Sequence, residues 1–316
     1  MDKQNLITEI SASEIIFAAD PLDGLGNYDL RQLTSQSSGI GISEIIGQGS
    51  INAFLPRTSS YIFEKKSRDL VDEILIADHK GSLSLITNGS VPKVSPDGRF
   101  IGFLNYVEDR FCNIFCTINI DGTGRRELSL PAYDSFTIAS NGLIAVPYEN
   151  KITIIDKYGS IVRELNGHHP SFSPDGLLLA YDSREGKKSF ENSDISVVHA
   201  ETGAVIHTLD GSEPIFSRDG NRLVYRTYSP FSGESTHIYT LDTEQSINIC
   251  DHGKSPFRVV WSPSDNFISI EAHIKAQGSP IISGSCIYMY ATDQPQKKPM
   301  MTIPNAHYLS WSGFIK

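Results

Sequence analysis

The chain has 316 residues and a formal net charge of −10, from 27 Lys and Arg against 37 Asp and Glu. That balance excludes a protein built to grip a phosphate backbone, which draws on clustered basic side chains, so no nucleic-acid partner is expected. No apolar run reaches the ~18 residues that a membrane-crossing helix needs, so no membrane insertion is expected either.

Hydrophobic content of 39% supplies a sizeable core. The N-terminal stretch carries Asp2, Glu9 and Glu14 and no uninterrupted apolar segment, so it does not read as a signal peptide. A cytoplasmic location is the expectation, or a periplasmic or secreted one if a leader has been removed. Cys112, Cys116, Cys250 and Cys286 are too few and too scattered for a disulfide framework, and buried reduced thiols are expected.

In chain order, residues 1–50 offer strands at EIIFAAD (14–20), YDLRQL (28–33) and ISEII (42–46). From there a repeat takes over. Its clearest copy is HPSFSPDGLLLAY (169–181), two short apolar runs around Asp175-Gly176. An Asp-Gly pair between strands predicts a two-residue hairpin turn in which both residues take positive φ. Aligned on the apolar residue before the turn, the copies fall at Phe54, Val94, Ile138, Phe172, Phe216, Trp261 and Trp311. Their successive separations are 40, 44, 34, 44, 45 and 50 residues. A period near forty with strand signals marks a β-propeller, each unit one four-stranded blade.

After each hairpin comes a third strand, as in EILIAD (73–78), NIFCTINI (113–120), KITIID (151–156), DISVVHA (194–200), HIYTLD (237–242) and CIYMYA (286–291). A tight turn then leads to an outer strand such as SLSLIT, IVREL or AVIHTL. Alternation in these runs has the period of strands, and no segment shows helical periodicity. The ends are incomplete repeats: residues 1–50 lack an inner strand, and HYLSWSGFIK at the C-terminus supplies one. An open sheet edge is a liability. The expected architecture is therefore one all-β domain over 1–316. Six complete blades span 51–306, and a seventh is composed of 1–50 and 307–316; six blades is the alternative.

The S-P-D-G unit at 91–103, 169–181 and 213–225 resembles the WD40-like PD40 repeat of TolB-type β-propellers. That resemblance implies a propeller fold. TolB itself is periplasmic and carries an additional N-terminal α/β domain, for which this chain has no room. Prolyl-oligopeptidase-like enzymes use similar blades beside a hydrolase domain, and this chain has no G-x-S-x-G nucleophile elbow.

Within a blade, the second-to-third-strand connections are long at 182–194, 226–236 and 273–285. Loops longer than closure requires tend to be functional. The residues three and four before each alignment position should line one opening on the same side. That set includes Asp134, His168, His169, Glu213, Arg258, His307 and Tyr308. His168 and His169 do not read as a metal pair, because adjacent strand residues face opposite sides. Arg184, Phe190, Tyr228 and Phe231 on the loops, outside the strand alternation, are the candidate contact residues.

No catalytic residue, metal or cofactor is expected. The functional expectation is a non-enzymatic scaffold that binds a protein or peptide partner. The alternative is a sugar-active lyase or hydrolase at the channel mouth, since the TolB-like propellers include oligogalacturonate lyases with a His-rich metal site.

Overall fold

A computed structural model describes residues 3–21, 27–36, 39–43, 46–55, 58, 60–67, 71–78, 82–183, 193–231, 233–252, 256–275, 282–293 and 298–312. Apart from one short helix, one 3-10 turn and connecting turns, the described chain is antiparallel sheet. The helix, α1 (Lys3–Ala12), was not foreseen from periodicity. Its short apolar stripe, Leu6 and Ile10, is fully covered, and packing against the neighbouring core holds the helix more than propensity does. Glu9 on the same turn accepts hydrogen bonds from the Ser264 amide (3.0 Å) and hydroxyl.

The first sheet is where the expected seven-blade count fails. It comprises β1 (Ile15–Pro21), β2 (Tyr28–Gln36), β3 (Gly39–Ile42), β4 (Gly47–Phe54), β5 (Tyr61–Lys65), β6 (Glu73–Ala77), β7 (Leu83–Asn88) and a C-terminal strand, Ala306–Trp311. The C-terminal strand pairs with β1, β1 with β2, and β2 with both β3 and β4. One eight-stranded sheet thus replaces the expected closing blade and the first repeat. The cause is the pairing of Tyr28, Asp29 and Leu30 with Gly49, Gln48 and Gly47. It joins two strand sets that a blade boundary would have kept apart. The expected ISEII strand is also displaced, since the strand here ends at Ile42.

Five four-stranded sheets follow. They are β8–β11 (Ser90–Val94, Phe100–Val107, Cys112–Asn119, Arg126–Pro131) and β12–β15 (Thr137–Ile138, Ile144–Tyr148, Lys151–Ile155, Ile161–Asn166). Next come β16–β19 (His168–Phe172, Leu178–Ser183, Asp194–His199, Val205–Asp210) and β20–β23 (Ser212–Phe216, Arg222–Ser229, Gly233–Thr240, Gln245–His252). The last is β24–β27 (Pro256–Trp261, Phe267–Lys275, Ile282–Ala291, Met301–Pro304), and β28 is the C-terminal strand already described. The architecture is five blades and one larger sheet, so neither seven nor six blades is correct.

The chain divides into two compact units. The first holds residues 1–94, 120–123 and 254–316, and its main core gathers Leu6, Phe17, Phe267, Ile287, Leu309 and Trp311. The second holds 95–119 and 124–253. Its cores include Ala145, Ile154, Phe172 and Val198 in one cluster, and Ile195, Phe216, Leu223 and Tyr239 in another.

The S-P-D-G turns differ from the expected two-residue hairpin. Gly176 takes φ 74° while Asp175 stays at negative φ, and the Gly176 amide bonds the Ser173 carbonyl at 2.9 Å. This is a β-turn with Pro174 second and a left-handed glycine after it. Asp175 accepts the Ser173 hydroxyl (2.6 Å) and the Leu177 amide (3.0 Å), and these bonds hold its carboxyl below the ordinary value. The Ser173 hydroxyl in turn accepts the Leu178 amide. Ser217 and Asp219 repeat the arrangement in the next blade.

A Cβ on Gly176 would stand 2.6 Å from Asn141 Cγ, whereas one on Gly220 would meet Pro174 Cδ at 3.2 Å. Left-handed backbone costs a side-chain-bearing residue about 1–2 kcal/mol, and the Asn141 clash adds to that at Gly176 alone. Gly176→Val is therefore expected to lower the urea midpoint more than Gly220→Val. Equal losses would show that Asn141 simply moves aside.

Candidate functional site

Four of the residues three positions before the alignment residue share an unusual backbone. Val91, His169, Glu213 and Tyr308 all take left-handed φ, between 46° and 53°. In β16 and β20 a register shift accompanies it, between His168 and Ser171 and between Ser212 and Ile215. Such bulges break the alternation of side chains. His168 and His169 are accordingly not splayed to opposite sides; their ring centroids lie 6.1 Å apart. The same distance separates His307 and Tyr308.

Left-handed φ is strained for residues other than glycine, and each of three such amides finds a buried carboxylate. The Val91 amide donates to Glu64 (2.8 Å), Glu213 to Asp182 (2.8 Å), and Tyr308 to Glu271 (2.9 Å). Glu64, Asp182 and Glu271 stand ten residues after Phe54, Phe172 and Trp261, on the second strand of each unit. Arg226 holds the equivalent position after Phe216. The reading from sequence passed over these four. Their signal is a charge at a fixed offset inside an otherwise apolar strand.

In the second unit, Asp182 is fully buried and also receives His169 Nδ1 at 3.0 Å. Glu213 pairs with Arg226, whose guanidinium approaches Glu234 at 3.7 Å. Burial depresses the Arg226 pKa, and the carboxylates of Glu234 and Asp182 oppose that shift. His169, Asp182, Glu213 and Arg226 therefore form one charge-alternating chain. Asp134, in the turn between β11 and β12, stays exposed.

In the first unit, Glu271 is 3% exposed and accepts from His307 Nδ1 at 3.1 Å. The Arg258 guanidinium lies 5.7 Å from the Tyr308 ring centroid, within cation–π range. Burial lowers the Arg258 pKa against the pull of Glu271. Tyr28 packs on His307 (4.9 Å) and Tyr308 (5.7 Å), and burial followed by the Glu271 charge raises its phenol pKa. Lys66 pairs with Glu64 and with Asp72 at 2.7 Å. Burial works against its ammonium, but hydrogen bonds to both carboxylates outweigh that and hold the pKa up.

Of the expected loops, 226–236 is mostly strand. β21 and β22 pair through Ser229↔Gly233, which leaves a tight tip. Thr and Tyr favour the pleated conformation despite the surrounding Ser, Pro and Gly. β25 and β26 likewise extend to Lys275 and back from Ile282, shortening the 273–285 loop. Arg184 and Phe190 lie outside the described residues. Tyr228 is 43% exposed and Phe231 99% exposed. Another exposed tip aromatic, Phe111 at 82%, was missed. The acidic and basic neighbours Glu108, Asp109 and Arg110 hid it among apparent strand-end polarity.

The repeated four-stranded antiparallel sheets are those of a β-propeller fold. No family model matches the chain, and no curated protein matches it. Among solved structures, the chain is similar to a periplasmic gluconolactonase from Pseudomonas aeruginosa. Identity there is 12% and the TM-score 0.61, over 96% of this chain and 99% of that one. It is similar to TolB from Acinetobacter baumannii (12%, TM-score 0.54, 95% and 67%). It also resembles Chaetomium thermophilum Sqt1, bound to the N-terminus of ribosomal protein L10 (13%, TM-score 0.55, 78% and 76%). At such identities the likeness concerns the fold alone. Among the described residues, no helix is long and apolar enough to cross a membrane.

Proposed function

We propose that this protein is a non-enzymatic β-propeller that binds a protein or peptide partner through its second-to-third-strand connections. The observation that carries this reading is the β21–β22 hairpin tip. Phe231 stands almost fully in solvent there, and Tyr228, near the end of β21, is 43% exposed. A nearly naked Phe held on a paired hairpin costs solubility and contributes nothing to the core, which fits an interaction surface. The Ser229 hydroxyl accepts the Phe231 amide and braces the tip, so little freedom is lost on binding. The likeness to Sqt1, a propeller seen with a peptide segment bound, supports such a use of the fold.

His169 and His307, the histidines nearest the alternative lyase or hydrolase reading, each sit against a single carboxylate. The test is affinity enrichment from the native source with the wild type and with Tyr228→Ala/Phe231→Ala. The double variant is expected to bind its partner about thirtyfold more weakly, on the scale of interface hot spots. Its melting temperature should stay unchanged. A variant that binds normally would assign these aromatics to the scaffold.

A further inference from the structure

A different surface in the second unit carries a more specific reading. Three chain segments meet there: the β9–β10 tip, the link into β12, and the turn between β13 and β14. The Ala132 amide bonds the Asn113 carbonyl (3.0 Å), and the Tyr133 amide bonds the Pro147 carbonyl (2.8 Å). These bonds place Tyr133 against Tyr148, with ring centroids 5.1 Å apart and tilted by 41°. Cys112 opens β10 next to Asn113, whose carbonyl takes the Ala132 amide, so the β9–β10 tip lies beside the segment that carries Tyr133. Phe111 immediately precedes Cys112 and is 82% exposed, and Tyr133 is 45% exposed.

The patch therefore presents the paired Tyr133 and Tyr148 rings, with the exposed Phe111 two residues from Asn113 at the neighbouring tip, and aromatic faces are electron-rich. Its charge is one-sided. Glu108, Asp109, Asp134 and Glu149 are all exposed, and Arg110 is the cation among them. None of those four carboxylates has a hydrogen-bonded or ion-paired side-chain partner among the described residues. Glu164 in the same unit, by contrast, is paired with Lys151 at 3.1 Å. Phe111 and Glu149 both take left-handed φ, 50° and 52°.

We infer that Phe111, Tyr133 and Tyr148, with Asp134 and Glu149, form a docking site for a Lys- or Arg-containing peptide segment of a partner protein. Aromatic faces and unpaired carboxylates attract the same cation by different means. Rings bind a guanidinium or ammonium over their faces, and the carboxylates steer and orient it. An apolar or acidic segment would leave the carboxylates unpaired or repelled. This inference rests on the protein-binding reading above but uses separate residues.

The probe is a fluorescein-labelled nonapeptide of alternating Gly, Lys and Arg, titrated by fluorescence anisotropy. A charge-reversed Glu peptide serves as its control. The wild type is expected to bind the basic peptide in a salt-sensitive manner and not the acidic one. Asp134→Asn/Glu149→Gln should weaken binding about tenfold, and Phe111→Ala should weaken it severalfold. Glu201→Gln/Asp242→Asn removes the same charge from the same unit at exposed turns, and it should leave binding intact. Each variant's melting temperature is recorded, so that a loss due to unfolding is recognised. Equal weakening by both charge-neutral pairs would reduce the effect to overall acidity and overturn the site. Unchanged binding in Asp134→Asn/Glu149→Gln would do the same. If the peptide does not bind while Tyr228→Ala/Phe231→Ala still loses the native partner, this inference fails and the broader reading stands.

Discussion

A chain ending at Asn305 is expected to aggregate or to melt far below the intact protein. The missing strand, β28, pairs with β1 from Ile15↔Trp311 to Ala19↔Ala306. Its loss leaves the β1 edge without hydrogen-bond partners, and an unpaired edge is a template for association. It also removes Leu309 and Trp311 from the core they share with Leu6, Ile15 and Phe267. Trp311 is 3% exposed, and cutting it back to Ala alone should cost about 3–5 kcal/mol. Typical domains hold only ~5–15 kcal/mol in total. Trp311→Phe is the milder control. It keeps most of the ring and removes a buried indole N–H that has no partner among the described residues. A truncated protein that melts with the intact one would show that the β1 edge is satisfied in another way.

Asp182→Ala is expected to cost about 3–5 kcal/mol, the penalty for removing one partner of a buried charged network. Three groups depend on this side chain: the Glu213 amide, the His169 imidazole and, electrostatically, Arg226. The Glu213 amide is the critical one, because its left-handed backbone at φ 53° points a donor into a site that water cannot easily reach. Asp182→Asn keeps one carbonyl acceptor and should lose clearly less. Urea unfolding of the two variants checks the order. A loss below ~1 kcal/mol for the alanine variant would mean that the network rearranges around the gap.

That network marks the limit of what the chain reveals on inspection. His169, Glu213, Arg258, His307 and Tyr308 stand out in the sequence because the repeat alignment assigns them equivalent places. Asp182, Arg226 and Glu271 do not. Each lies inside a strand, where a charge would ordinarily be assigned to the solvated face. Only the bulge in the neighbouring inner strand explains why a buried carboxylate is required there. A bulge adds one residue and leaves no compositional trace: His169, Glu213 and Tyr308 share a place in the repeat and a left-handed φ, but no residue type.

The four-stranded antiparallel unit, the tight turn at each S-P-D-G and the buried alignment residues Phe54, Phe172, Phe216, Trp261 and Trp311 follow from the sequence itself, whereas the number of blades does not. Local physics determines them. Strand alternation decides which face is buried, and Pro, Asp and Gly specify a turn within four residues. Tertiary structure alone decided the N-terminal sheet. Whether β2 pairs with β4 or leaves a blade boundary depends on hydrogen bonds between Tyr28–Leu30 and Gly47–Gly49, backbone groups that every residue possesses. It also decided that residues 226–236 form a hairpin with an exposed Phe231, because pairing between strands is a property of two segments and neither displays it alone.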